Sequence, residues 1–179
     1  PLKRMEAELV RDTALWVADR LDNTQFGPAD PVNVRKDGLV TAKPVHGSWR
    51  RSVYLRQRRK EFPTFLSTFD LPSMTPNCIQ RPESTVALQA LFLMNNPWMN
   101  DLAGDIAKKT TDSLETDTER LNYLYESLLG RLPTKDDLEA ATELLEAVRG
   151  QADLEKFPMV DWQSLCHTML MSSEFLYVR

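Results

Sequence analysis

The stretch NPWMNDLAGDIA, residues 96–107, decides the fold class. Asn96 is a good helix cap, and Pro97 suits the first helical position, where its missing N–H would be unpaired anyway. Behind them Met99, Leu102, Ala103, Ile106 and Ala107 recur at spacings of three and four. That period lines them up on one buried stripe of an amphipathic helix. After a polar connection over Thr110–Thr118, the pattern returns in Leu121, Leu124, Tyr125 and Leu128, with Gly130 placed as a C-terminal cap. Thr134 opens a further helix, with Asp136 and Asp137 in the first turn, where the helix dipole favours acids. Leu138, Ala141, Leu145 and Val148 give its inner face, and Gly150 reads as its stop. Trp162, Leu165, Cys166, Met169 and Leu170 give the last helix, begun near Asp161.

Upstream, Val86–Met94 is apolar nearly all round apart from Gln89. A helix apolar on every side is expected in the middle of a core. The expected core is therefore Leu88, Leu91, Phe92, Leu102, Ile106, Leu124, Leu128, Leu145, Leu165 and Met169. Asp70–Pro82, with Pro72, Pro76 and Pro82, reads as an irregular ordered loop after a short helix in Phe62–Phe69. A structural hydrogen bond from Gln89 to this loop would satisfy its amide.

Further back the period changes from helical to alternating. Asp37-Gly38 lies between Val32–Val34 and Leu39–Thr41, which is a strong hairpin signal. Arg51–Arg58 is a candidate third strand, with Tyr54, Arg56 and Arg58 on one face. Met5, Leu9, Thr13, Trp16, Val17 and Leu21 mark one face of a helix over about residues 4–21. The expected fold is α+β and mainly helical. About five longer helices form a bundle-like core, with a small antiparallel hairpin or three-stranded sheet. The 179 residues are read as a single domain, 1–179.

Composition bounds the function. With 42% apolar and 27% charged residues, the chain has an ordinary globular mix and can build its own core. No run approaches the roughly 20 apolar residues of a membrane-spanning helix, and the first residues given do not show the charged, apolar and small-residue pattern of a signal peptide. The chain opens on Pro1 rather than Met, so it is expected to be the C-terminal part of a longer multidomain protein. The net charge of −4 hides an asymmetry, because residues 1–90 hold 14 Lys/Arg against 10 Asp/Glu and the remainder is acidic. The basic excess centres on Arg50–Lys60. Arg51, Tyr54, Arg56 and Arg58 are candidate binders of an anionic ligand such as an acidic polysaccharide or a nucleic acid. A pI near 5.3 disfavours nucleic acid.

The sequence offers no catalytic, cofactor-binding or metal-binding motif. It has no nucleophile elbow, phosphate loop, dinucleotide fingerprint or zinc-protease motif. Cys166-His167 lacks the partner thiol of a c-type haem motif, because position 163 is Gln163. Cys78, Cys166, His46 and His167 have no zinc spacing. The two cysteines are free thiols or, in an oxidising compartment, a disulfide worth roughly 4 kcal/mol on the chain-entropy view. Asp70, Arg81 and Gln89 form a candidate structural network. Arg81 sits before the apolar helix, where the dipole disfavours a cation. It is therefore expected to be buried and bonded to Asp70 or to loop carbonyls over residues 72–77. An enzyme would need these three residues to join in a concave pocket.

Several runs together resemble one family. They are Arg50-Arg51-Ser52-Val53-Tyr54, Phe69-Asp70, Pro76-Asn77-Cys78, Arg81, Ser84-Thr85, and Gln89-Ala90-Leu91 through Met94-Asn95-Asn96. The opening Glu8-Leu9-Val10-Arg11-Asp12, with Arg20-Leu21-Asp22, fits too, as does the ending Leu165-Cys166-His167 through Ser173-Glu174-Phe175-Leu176. The chain resembles the C-terminal domain of unknown function, number fifteen fifty-three, of large planctomycete-type proteins. Relatives often carry a cytochrome-c-like module upstream. The resemblance implies an extracytoplasmic setting and partner domains upstream in the same polypeptide, and it carries over no activity and no cofactor. The reading it favours is a non-catalytic accessory domain that packs against those upstream domains. The alternatives are an anionic-ligand module on the basic strand, or part of an enzyme.

Overall fold

The structure, a computed structural model, describes residues 2–72, 81 and 83–178. The chain is α+β and mainly helical. Its contacts group it into two compact units: residues 1–16 with 20–92, and residues 17–19 with 93–178.

The first unit begins with a two-residue strand β1 (Lys3–Arg4) and helix α1 (Ala7–Val17). The inner face of α1 is Ala7, Val10, Arg11, Ala14 and Leu15, all buried. The sequence pattern chose another face, and Leu9 and Trp16 on it are exposed. The reason is Arg11, which occupies a core position, so that counting apolar residues alone misses the true stripe. Next come β2 (Leu21–Asp22), β3 (Val32–Val34), β4 (Val40–Ala42) and β5 (Trp49–Arg50). Strands β3 and β4 form the expected hairpin, with Val34 opposite Val40. Gly38 takes φ +87 at its tip, a conformation glycine adopts without penalty.

The expected third strand is absent. Residues 52–54 coil into a 3-10 turn, and β5 pairs in parallel with β2. The Ser52 N–H donates to the Asp12 carboxylate at 2.8 Å, so it is taken from any strand ladder. Helix α2 (Thr64–Thr68) follows, its Phe65 stacked on Phe69 at 5.0 Å. The apolar helix is α3 (Ala87–Asn95). Within it Leu88 and Leu91 are 63% and 51% exposed, against the expected burial, and Phe92 is only half-buried. Gln89 and Leu93 are its buried residues. Apolar residues all round a helix measure what it can bury. They do not say that the covering partner lies in this chain.

The second unit is a helical bundle of α4 (Pro97–Ser113), α5 (Asp117–Leu129), α6 (Lys135–Gln151), α7 (Val160–Met171) and the short α8 (Ser173–Leu176), ending in β6 (Tyr177–Val178). Helix α7 packs along α4 and α6. Leu102, Ile106, Leu124, Leu128, Leu145, Leu165 and Met169 are buried as expected. Asn96 caps α4 by accepting from the Trp98 N–H at 3.0 Å. Helix α4 runs on through Thr110–Ser113, which had read as a connection. The Thr110 and Thr111 hydroxyls donate to the carbonyls of Ile106 and Ala107, which hides their polarity inside the helix. Likewise α6 passes through Gly150 and ends at Gln151, since no left-handed turn is made there.

Candidate functional site

Three arginine–aspartate groupings, two buried and one partly buried, run through the first unit. In α1, Arg11 donates to Asp12, to the Arg50 carbonyl and to the Ser52 hydroxyl, at 3.1, 3.1 and 3.2 Å. Asp12 in turn accepts the Ser52 hydroxyl at 2.6 Å. Burial pulls the Arg11 guanidinium below its ordinary pKa, against the opposing pull of Asp12. These groups are bonded to one another away from water, which suits a strut rather than a reacting centre.

Arg50 forms the second grouping. Its Nε and Nη2 donate to Asp30 Oδ1 at 2.9 and 2.5 Å, and its Nη groups reach the carbonyls of Phe26 and Pro28, each at 2.6 Å. Its guanidinium also lies over the Tyr54 ring, 4.5 Å from the centroid. The Asp30 hydrogen bonds raise the Arg50 pKa further.

Asp70 forms the third. Its backbone sits in the left-handed region, φ +64. Its carboxylate accepts from Arg4 Nη2 at 2.7 Å, from the Ser84 N–H at 2.8 Å and from the Ser84 hydroxyl at 2.9 Å. Gln89 Nε2 donates to the Thr68 carbonyl at 3.0 Å and approaches Asp70 at 3.4 Å. Burial pushes the Asp70 carboxyl up, but Arg4 and Ser84 outweigh it and hold the group below the usual carboxylate range.

Gln89 lies 3.4 Å from Asp70, the first residue of the loop, while its shorter bond goes to the Thr68 carbonyl, before the loop rather than in it. Arg81 does not join them. It is about a quarter exposed and pairs with Glu6 and with Glu8, the latter at 2.5 Å. Arg4 takes the place beside Asp70 instead, because it is buried on the strand just before α1. The carbonyls proposed as acceptors and Cys78 fall outside the described residues, except at Pro72. Cys166 is a free, buried thiol, and burial pushes its pKa up. His167 bonds the Leu93 carbonyl at 3.1 Å, a helix-packing role.

The basic candidates flank the 3-10 turn Ser52–Tyr54 rather than lining one strand. Arg51 is 57% exposed, with its Nε 3.7 Å from Asp12. Arg56 and Arg58 share one acid, Glu61, at 3.1 and 4.0 Å. Tyr54 is half-buried, and its hydroxyl accepts the Phe26 N–H at 3.3 Å. Glu61 offsets only one of the two arginine charges beside it, so this edge keeps a positive surplus.

The family described as "Protein of unknown function (DUF1553)", PSD1, matches residues 1–145. The chain belongs to this family. No curated protein and no solved structure matches it. The residues through which the sequence resembles DUF1553 include Arg11, Asp12, Arg50, Ser52, Asp70, Ser84 and Gln89, the same residues that make these groupings. Sequence reasoning missed Arg4, Arg11, Asp12 and Asp30 as partners. The helical spacing of Ala7, Val10, Arg11, Ala14 and Leu15 was the available signal for Arg11. Among the described residues of this DUF1553 chain, no three His, Cys, Asp or Glu side chains are placed to hold a metal ion. No described helix is long and apolar enough to cross a membrane.

Proposed function

We propose that this DUF1553 chain is a non-catalytic accessory domain that packs against upstream domains of a longer, extracytoplasmic protein of the planctomycete type. The observation that carries this reading is α3. It has no charged residue over Ala87–Asn95, yet Leu88 and Leu91, one turn apart on one side, are 63% and 51% exposed. Contiguous exposed apolar surface marks interaction sites. The family resemblance supplies the occupant, an upstream domain of the same polypeptide. The polar groupings support the same reading, because Asp12, Asp30 and Asp70 each hold an arginine of their own unit.

The test is Leu91→Glu made both in this chain and in a longer polypeptide that includes the preceding domains. Here the thermal midpoint should stay within about a degree, since an exposed substitution changes stability little. In the longer protein the variant should loosen the domains, read as faster protease cleavage between them. Equal cleavage with and without the substitution would contradict the reading.

A second reading rests on the shared Glu61. The surplus positive charge of Arg51, Arg56 and Arg58 beside Tyr54 suits an anionic ligand. Its binding would weaken steeply with salt.

A further inference from the structure

Phe26 is the most exposed of the large apolar side chains among the described residues, at 80%. Its backbone lies in the left-handed region, φ +66, which is unfavourable for a bulky residue. Core packing does not account for this strain, because the ring is in water. The surroundings impose it. Arg50 donates to the carbonyls of Phe26 and Pro28 and to Asp30. Tyr54 accepts the Phe26 N–H. At the other end of the loop the Asp22 carboxylate accepts the N–H and hydroxyl of Thr24 at 2.8 and 2.6 Å. Backbone strain that the surroundings over-determine points to use.

The loop's other side chains say what use. Asn23, Thr24 and Gln25 are exposed. The hydroxyl of half-buried Tyr54 meets the Phe26 backbone. Arg51, largely exposed, precedes the turn that carries Tyr54, and Val53 on that turn is 72% exposed. We infer that residues 23–28, with Tyr54 and Arg51, form a carbohydrate-binding platform for a glycan bearing carboxylates, such as a chain of uronic acids. The Phe26 ring offers a flat apolar face for the C–H face of a sugar. The side chains of Asn23, Thr24 and Gln25 can exchange hydrogen bonds with sugar hydroxyls. Arg51 supplies a cation for the carboxylate. Holding the Phe26 backbone in place before binding lowers the ordering cost. A nucleic acid would also stack on a ring, but the chain's net charge of −4 opposes so dense an anion. The inference rests on the anion-binding reading of Arg51 and Tyr54.

The experiment titrates the chain with an oligogalacturonate, a neutral galactan oligomer and an oligo-dT strand. Oligogalacturonate should bind most tightly. Phe26→Gly should weaken it by roughly tenfold or more, as loss of a central aromatic contact does. Its thermal midpoint should hold or rise, since glycine accepts the positive φ. Phe26→Tyr, which keeps the ring, should bind like the parent. Unchanged binding in Phe26→Gly overturns the platform. If the Arg56→Ala/Arg58→Ala double variant then loses binding, the broader anion reading survives without the loop. Loss in Phe26→Tyr as large as in Phe26→Gly overturns ring stacking. Tighter binding of oligo-dT overturns the ligand class, and no oligogalacturonate binding by the parent overturns both readings.

Discussion

Arg50 ties a loop, a strand and a turn together through one guanidinium. Its side chain is 9% exposed and Asp30 beside it 5%. Removing one partner of such a pair strands the other charge in the interior. Asp30→Ala is therefore expected to lower stability by about 3–5 kcal/mol, measured by denaturant unfolding. Arg81→Ala should cost far less, about 0–1 kcal/mol, because its acids Glu6 and Glu8 are partly solvated. The sequence reading expected the opposite weight for Arg81. An arginine's charge is visible in a sequence, but its burial is not. Asp30 lies twenty positions before Arg50, and no local pattern joins them. Asp70 sets an expected pH response. Its folded pKa lies below the ordinary value, so its contribution to stability is fully present above about pH 4 and is lost as pH falls through the folded pKa. The same sign holds for Asp137, whose pKa Arg131 and Thr134 depress. Urea midpoints recorded from pH 6 down to pH 3 should fall, and Asp70→Asn should flatten part of that fall.

At the scale of elements, local chemistry was legible and partnership was not. Thr134 caps α6, its hydroxyl accepting the Asp137 N–H at 3.3 Å while Asp137 accepts the Thr134 N–H at 2.8 Å. That reciprocal bond spans three residues, so the sequence displays it. Thr134→Ala should cost about 1 kcal/mol in chemical unfolding. The hairpin at Asp37-Gly38 was legible for the same reason. The third strand was not, because Asp12, far away in sequence, takes the Ser52 N–H. Helices α3 and α4 make the sharper comparison. Leu102, on the apolar stripe of an amphipathic helix, is 1% exposed, and Leu91, in the most apolar helix of the sequence, is 51% exposed. Leu102→Ala should cost about 2–5 kcal/mol, and Leu91→Ala less than about 0.5 kcal/mol. Equal losses would mean that α3 is core after all.

For the whole molecule, the helical period over residues 96–170 gave the class, and the described structure agrees with it in α4 through α7. The arrangement into two compact units was not legible, since the family match runs across both. Nor was the exposure of α3, because a sequence read alone assigns every apolar helix to its own core. That exposure carries the account of this DUF1553 chain as an accessory domain, so it is the feature to measure. Amide hydrogen exchange over residues 87–95 should be recorded in this chain alone and in a longer polypeptide with its upstream domains. The account predicts clearly slower exchange there in the longer protein, with the amides of α4 and α7 unchanged. Identical exchange over residues 87–95 in the two proteins would contradict it.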